Sequence, residues 1–188
     1  MIVGLELDHT FVVTKSMAKY TLISKLQKIK KGLLTSQITK ESTMILETAT
    51  ALTCMAHAIF FESRSEPIVA QIAVGHVIMN RVHDHRFPDT VCDVVTDGLR
   101  YKWNNQMVKH QCAFSFYCDG KAEDVSIDPT AYEWAEEISY GILNGMLNID
   151  LTDGSTHYHA DYVYPSWANT MTKTVCIDTH CFYRWEHE

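Results

Sequence analysis

The period of apolar positions changes along this chain, and each change predicts an element. From Ala49 to Phe61, Ala51, Leu52, Met55, Ala58 and Ile59 recur at helical spacing. SRSEP, residues 63–67, breaks that helix. Pro67 suits the first turn of a second helix, where its missing N–H costs nothing. This helix is expected over 67–82. Ile68, Ile72, Met79 and Val82 form one stripe, and Ala70, Val74, Val77 and Ile78 cover most of the rest, so it should be deeply buried. HDHRFPDT, residues 83–90, reads as a turn. Residues 91–128 lack a clean period, hold five aromatics, and read as functional loops and short helices. Asp128-Pro129 caps and opens a third helix running to about Gly145, with Ala131, Trp134, Ala135, Ile138, Ile142 and Leu143 as its stripe. Beyond the Asp153-Gly154 turn the period becomes two. Thr156, Tyr158 and Ala160 alternate with His157, His159 and Asp161. KTVCID and HCFYR read as two strands joined at Asp178-Thr179. The predicted class is α+β, mainly helical, with a small antiparallel sheet near the C-terminus.

Charge divides the chain differently. Residues 1–48 carry seven lysines and four acids, net +3; residues 49–188 carry nine basic residues and nineteen acids, net −10. A basic extension, 1–48, is therefore expected on an acidic body, 49–188. Tyr20, Leu22, Ile23, Leu26, Ile29 and Leu33 recur near helical spacing among the lysines from Lys15 to Lys31. The expectation is a solvated helix lying on the body; attraction to an anionic surface is the alternative.

The 188 residues, 46% apolar and 21% charged, exclude disorder and a disulfide-dense miniprotein. No eighteen-residue apolar stretch occurs, so no membrane span is expected. MIVGLELDHTF lacks a basic segment followed by a long apolar core, so no secretory signal is expected. Net charge of −7 argues against nucleic acid as a general partner.

Glu62 is the first candidate for chemistry. It follows Phe60 and Phe61 at the expected end of a helix. An apolar setting disfavours a charged carboxylate, which would keep a general acid protonated near neutral pH. His157, His159 and Asp161 share a strand face and would suit Zn²⁺, but no H-E-x-x-H partner exists. A thiol nucleophile at Cys112 or Cys118 lacks any surrounding signature.

The run AHAIFFESRSEPIVAQIAVGHVIMNRV resembles the signature of the spore cortex-lytic, or SleB-like, cell-wall hydrolase family. RFPDTVCDVV, CAFSFYCDG, THYHADYVYPSWA and the closing HCFYR resemble later family blocks in the same order. The resemblance spans about residues 53–185 and leaves the first 48 outside. Ser63 and Ser65 depart from the small residues of the family's A-R-G-E-P turn, Cys112-Ala113 from its Q-F, and Asp178 from a common hairpin glycine.

What this resemblance implies is a lysozyme-like, lytic-transglycosylase-type body acting on peptidoglycan glycan strands. No cofactor or metal is expected, and the chain is expected to be a monomer. Glu62 falls on the family's catalytic glutamate. It would serve as acid and then base in cleaving the N-acetylmuramic acid–N-acetylglucosamine bond, with a 1,6-anhydro product. A hydrolytic muramidase would instead need a second carboxylate. Asp161 is the first choice. Glu66 reads as a helix N-terminal acid and Asp119 as a turn residue. Phe114, Ser115, Tyr158, His159, Trp167 and Arg64 are the expected substrate-binding residues, with Phe116, Tyr117 and Tyr162 as further groove aromatics. Arg64 or Arg81 would orient Glu62. A zinc amidase and a non-catalytic wall-binding or virion protein are the alternatives. The resemblance suggests a Cys92–Cys118 pair. A two-residue turn would set Cys176 opposite Cys181. Cys54 reads as an ordinary helix residue, and Cys112 has no assignment. A wall enzyme without an export signal fits a phage endolysin released through a holin, a virion-borne lysin, or a bacterial protein using another route.

Overall fold

The computed structural model describes residues 9–186, with side chains from Lys28 onward. The chain divides into two compact units, residues 1–47 and 48–188. Four α-helices follow in order: α1 (His9–Ser63), α2 (Ile68–His83), α3 (Val91–Val95) and α4 (Pro129–Leu143). A hairpin of β1 (Gly98–Arg100) and β2 (Met107–Cys112) lies between α3 and α4 in the chain. After α4 come β3 (His157–Ala160), β4 (Thr172–Ile177) and β5 (His180–Arg184), an antiparallel sheet in the order β3-β5-β4.

In the first unit every side chain from Lys28 to Glu47 is exposed, including Ile29, Leu33, Leu34, Ile38 and Ile45. The expected positions from Lys15 to Leu26 lie outside the described side chains. Within α1, the stretch Lys28–Ser63 is long and apolar enough to cross a membrane by length and composition, whereas the sequence expectation was of no span. Its turns from Met55 to Phe60 belong to the core of the second unit, where Met55, Ala56, Ala58, Ile59 and Phe60 are fully buried.

That core gathers around α2. Ala70, Ala73, Val74, Gly75, His76, Val77 and Ile78 are all buried, so α2 is covered on most sides, as its two apolar stripes predict. Val74 and Ile78 meet α1, α3 and α4 in one cluster. Ala73 and Val77 meet Phe182 of β5 in a second. Gly75 allows the tightest approach: a Cβ there would come within 2.4 Å of Ile142 Cδ1 and 3.3 Å of Ile59 Cδ1. Asp128 caps α4, its carboxylate accepting from Ala131 N–H, with Pro129 as first residue. Ala135, Ile138 and Ile142 are buried as expected, whereas Trp134 is exposed at the edge of that stripe.

The polar end of α2 sets the sheet. Asn80 Nδ2 donates to Asp150 Oδ2 at 2.9 Å and to Ser155 O at 3.0 Å; Arg81 Nε donates to Thr156 O at 2.7 Å. Burial pushes the Asp150 carboxyl up. Hydrogen bonds from Thr152, Asn80 and Gly154 outweigh that and hold it below the usual range. The chain entering β3 is thereby tied to α2. At the other end, Thr179 Oγ1 donates to Glu66 Oε1 at 2.8 Å, and His180 Nδ1 lies 3.9 Å from Glu66 Oε2. Glu66 therefore anchors the β4–β5 turn, a different task from the dipole role expected of it.

Three disulfides form: Cys54–Cys92, Cys112–Cys118 and Cys176–Cys181. The last is the hairpin pair expected across the turn. The Cys92–Cys118 pairing is corrected. Cys92 opens α3 beside α1 and takes Cys54, with 5.3 Å between Cα atoms. Cys112 ends β2, and the 3₁₀ turn Ser115–Cys118 that follows brings Cys118 back to it, six residues on.

Helix propensity alone favours replacing a mid-helix glycine. Gly75→Val is nevertheless expected to destabilise the body by about 1–3 kcal/mol, because Ile142 and Ile59 must move. Thermal unfolding checks it.

Candidate active site

Glu62 stands in the last turn of α1, half-buried, on a helix end held by the apolar core behind it. Ser63 Oγ donates back to Ile59 O at 2.8 Å. Phe61 stacks on Phe116 at 5.0 Å, which ties the helix end to the 3₁₀ turn Ser115–Cys118. The first amides of such a turn lack partners within it. Here one is used: Ser115 N–H donates to Glu62 Oε1 at 3.0 Å, and Ser115 Oγ lies 3.3 Å from the same oxygen. Tyr158 Oη donates to Glu62 Oε2 at 3.2 Å. Both carboxylate oxygens are thus engaged, from two separate elements. Burial, then the Glu62 charge, pushes the Tyr158 hydroxyl well above the ordinary tyrosine range, so it stays a protonated donor.

Arg81 lies within electrostatic reach of Glu62 and Tyr158. Burial pulls its guanidinium down, and Tyr158, Asp97 and Glu62 push it back up. Its centre lies 5.2 Å from the Phe114 ring and 5.4 Å from that of Phe87. Arginine stays charged in such surroundings, so a fixed cation sits near the carboxylate.

A cleft of about 300 Å³ opens here, lined by Phe61, Arg64, Ser115, Phe116, Asp119, Lys121, Ala122, Glu123 and Ile127. Of the residues expected from sequence, Ser115 and Tyr158 meet Glu62, and Arg64 lines the cleft with its guanidinium 5.0 Å from the Phe60 ring.

The other expected residues sit elsewhere. Phe114 is 1% exposed and belongs to the core under Arg81, so it offers no face to a sugar. His159 and Trp167 lie on the sheet face away from Tyr158. There His159 Nε2 pairs with Tyr183 Oη at 3.0 Å, and its ring packs on Trp167 at 5.7 Å. Alternation along β3 makes this unavoidable once Tyr158 faces Glu62. Asp161 lies exposed on the turn after β3, its N–H donating to Thr179 O at 2.7 Å, and no hydrogen bond links it to Glu62. His157 shares the outer face with His159, but its ring packs against Trp167 at 5.3 Å and Phe87 at 6.0 Å. Among the described residues no cluster of three or more His, Cys, Asp or Glu side chains converges on one point.

Sequence reading missed Lys121, Glu123 and Ile127 as cleft residues. No motif marks them; they arrive through the path of the loop after Gly120.

The α+β layout is shared with solved catalytic domains of SleB proteins and places the chain in the cell-wall hydrolase class. The chain belongs to the Cell Wall Hydrolase family, whose pattern matches residues 65–183. Glu62 lies three residues before that match. The chain is 32% identical over 129 residues to a spore cortex-lytic enzyme of Halalkalibacterium halodurans, covering 68% of this chain and 33% of that one. It is 49% identical over 129 residues to the spore cortex-lytic enzyme of Oceanobacillus iheyensis, covering 68% and 39%. It thus spans well under half the length of these relatives. Among solved structures, the catalytic domain of the Bacillus cereus SleB protein superposes with a TM-score of 0.52 at 30% identity, covering 71% of this chain and 89% of that domain. The catalytic domain of the germination-specific lytic transglycosylase SleB from Bacillus anthracis gives 0.53, also at 30%, covering 71% and 93%.

Burial first, then the charges of Arg81 and Arg86, lowers His157 to about 4. Folding therefore excludes a proton that the unfolded chain binds below about pH 6.5. Stability is expected to fall as pH drops from about 6.5 towards 4. His157→Phe should flatten that part of the curve, as urea unfolding at several pH values would show.

Proposed function

We propose that this domain cleaves the N-acetylmuramic acid–N-acetylglucosamine bond of peptidoglycan by lytic transglycosylation, with Glu62 as the single acid and base. The observation that carries it is the double clamp on Glu62. Ser115 holds one carboxylate oxygen, Tyr158 the other, and no second carboxylate contacts it among the described residues. The related Bacillus anthracis domain is that of a germination-specific lytic transglycosylase, which supports the same reaction here.

Protonated Glu62 gives its proton to the glycosidic oxygen as the bond to the muramoyl anomeric carbon breaks. The glucosamine leaves with that proton, and an oxocarbenium-like sugar remains. Glu62, now a carboxylate, takes the proton of the muramoyl 6-hydroxyl as that oxygen bonds to the anomeric carbon. The 1,6-anhydro ring closes and Glu62 is protonated again. The nucleophile is intramolecular, so one carboxylate suffices. Ser115 and Tyr158 keep the carboxylate aimed through both steps. Arg81 lies within electrostatic reach of Glu62 throughout.

Hydrolysis is the second reading, because Asp119 and Glu123 also line the cleft. Water activated by either would leave a reducing end. Asp119 is already occupied: its Oδ1 accepts from Lys121 N–H at 2.8 Å, and its Oδ2 lies 3.6 Å from Lys121 Nζ. The relatives are bacterial spore cortex-lytic enzymes, which lend no support to an endolysin released through a holin.

Mass spectrometry of muropeptides released from purified peptidoglycan is expected to show anhydro ends. Reducing ends would mean hydrolysis, and released stem peptides an amidase. Glu62→Gln should abolish release; wild-type activity in that variant overturns the assignment. Tyr158→Phe removes a hydrogen bond to a charged group, worth about 1.5–3 kcal/mol. It should slow turnover roughly ten- to a hundredfold with KM nearly unchanged.

A further inference from the structure

Strand β3 serves two surfaces. Tyr158 reaches Glu62 on one side. On the other side a line of rings crosses the sheet. Tyr164 lies 5.9 Å from His159, His159 5.7 Å from Trp167, Trp167 5.3 Å from His157, and His157 6.1 Å from Trp185, measured between ring centroids. The middle of this line is partly sunk against buried Tyr183, which stacks on His159 at 5.1 Å. Packing accounts for the middle and for part of Trp185, which also meets Phe87 at 6.3 Å, but not for the exposure of the two ends. Tyr164 is 67% exposed and Trp185 42% exposed.

Both ends are braced in place. Tyr164 Oη donates to Asn169 Oδ1 at 3.0 Å. The Arg86 guanidinium lies 4.4 Å from the Trp185 ring and is fixed by Asp84 and by the Trp185 and Glu186 carbonyls. Trp167 and Trp185 enter hydrogen bonds only through their backbone carbonyls among the described residues, so their indole N–H groups remain donors. Fixed aromatic faces with polar donors at their rims suit pyranose rings. The C–H face of the sugar lies on the ring, and hydroxyl or acetamido oxygens accept from the indole. A protein partner would favour a contiguous aliphatic patch; this surface is a line of separate rings.

The line borders the strand that reaches the carboxylate, since Tyr158, which donates to Glu62, stands between His157 and His159 on β3. Ala160 pairs with His180, whose imidazole lies 3.9 Å from Glu66, four residues after Glu62. We propose that the outer face of the sheet, from Tyr164 to Trp185, is a second, non-catalytic site for a strand of N-acetylated amino sugars. It holds the wall polymer on the domain that cuts it. This rests on reading the chain as a peptidoglycan enzyme.

The test uses the full chain carrying Glu62→Gln, so that the sugar survives. ¹⁵N-labelled protein is titrated with tetra-N-acetylchitotetraose, and retention on insoluble peptidoglycan is measured separately. The indole N–H signals of Trp167 and Trp185 are expected to shift saturably, alongside the Ser115 amide in the cleft. Adding Tyr164→Ala and Trp185→Ala should weaken wall retention about tenfold, and Tyr164→Phe with Trp185→Phe should restore most of it. A moving Ser115 amide with unmoved indoles overturns the second site and leaves the cleft reading standing. If neither moves, the peptidoglycan reading fails and this proposal with it. Shifted indoles with undiminished retention of the alanine variant also overturn it. Should the alanine variant not fold, the titration of Glu62→Gln alone decides.

Discussion

The Arg81 guanidinium lies near two phenyl rings at the polar end of α2 and donates to the carbonyl of Thr156. A buried cation is costly unless its surroundings answer it. Phe114, Phe87, Thr156 and the charge of Glu62 all contribute to that answer. Asn80 beside it reaches Asp150 and Ser155. Together these two side chains fix where the chain enters β3. The position of Tyr158, two residues after Thr156, follows from that attachment. The same cation lies near the carboxylate that Tyr158 contacts, so the sheet's docking and the charge of the site depend on one group.

Strand alternation then assigns everything else on β3. Once Tyr158 points towards α1, His157 and His159 must point away. They meet Tyr183, Trp167 and Phe87 and become part of an aromatic layer. The histidines that suggested a metal or a substrate contact are thereby drawn into ring packing on the far face. Glu66 shows the same logic at the other end of the sheet. Its carboxylate is taken by Thr179 and lies near His180, which locks the hairpin turn to the segment between α1 and α2.

Much of the helical body was legible in the chain. The apolar stripes of α2, the Asp128-Pro129 start of α4 and the alternation at β3 depend only on neighbours a few residues away. Glu62, Ser115 and Tyr158 were legible because each sits in a local block that resembles a known family. Phe114 was misplaced because a phenylalanine beside a site residue looks the same in sequence whether it faces solvent or the core. Trp134 was misplaced for the converse reason, since a stripe edge reads like a stripe centre.

The sequence by itself determined helices α2 and α4, the alternation at β3, the two strands β4 and β5, where the helix-end glutamate lies, and that cysteines 176 and 181 face each other; the β1–β2 hairpin had no such signal. These follow from periodicity, capping and turn chemistry, which act over short separations. Only the tertiary structure decided which cysteine meets Cys92, which face of β3 meets the cleft, and which loop residues line it. Those outcomes depend on contacts between segments tens of residues apart. The Arg81 contact with Thr156, 75 residues on, has no signature in the order of residues along the chain.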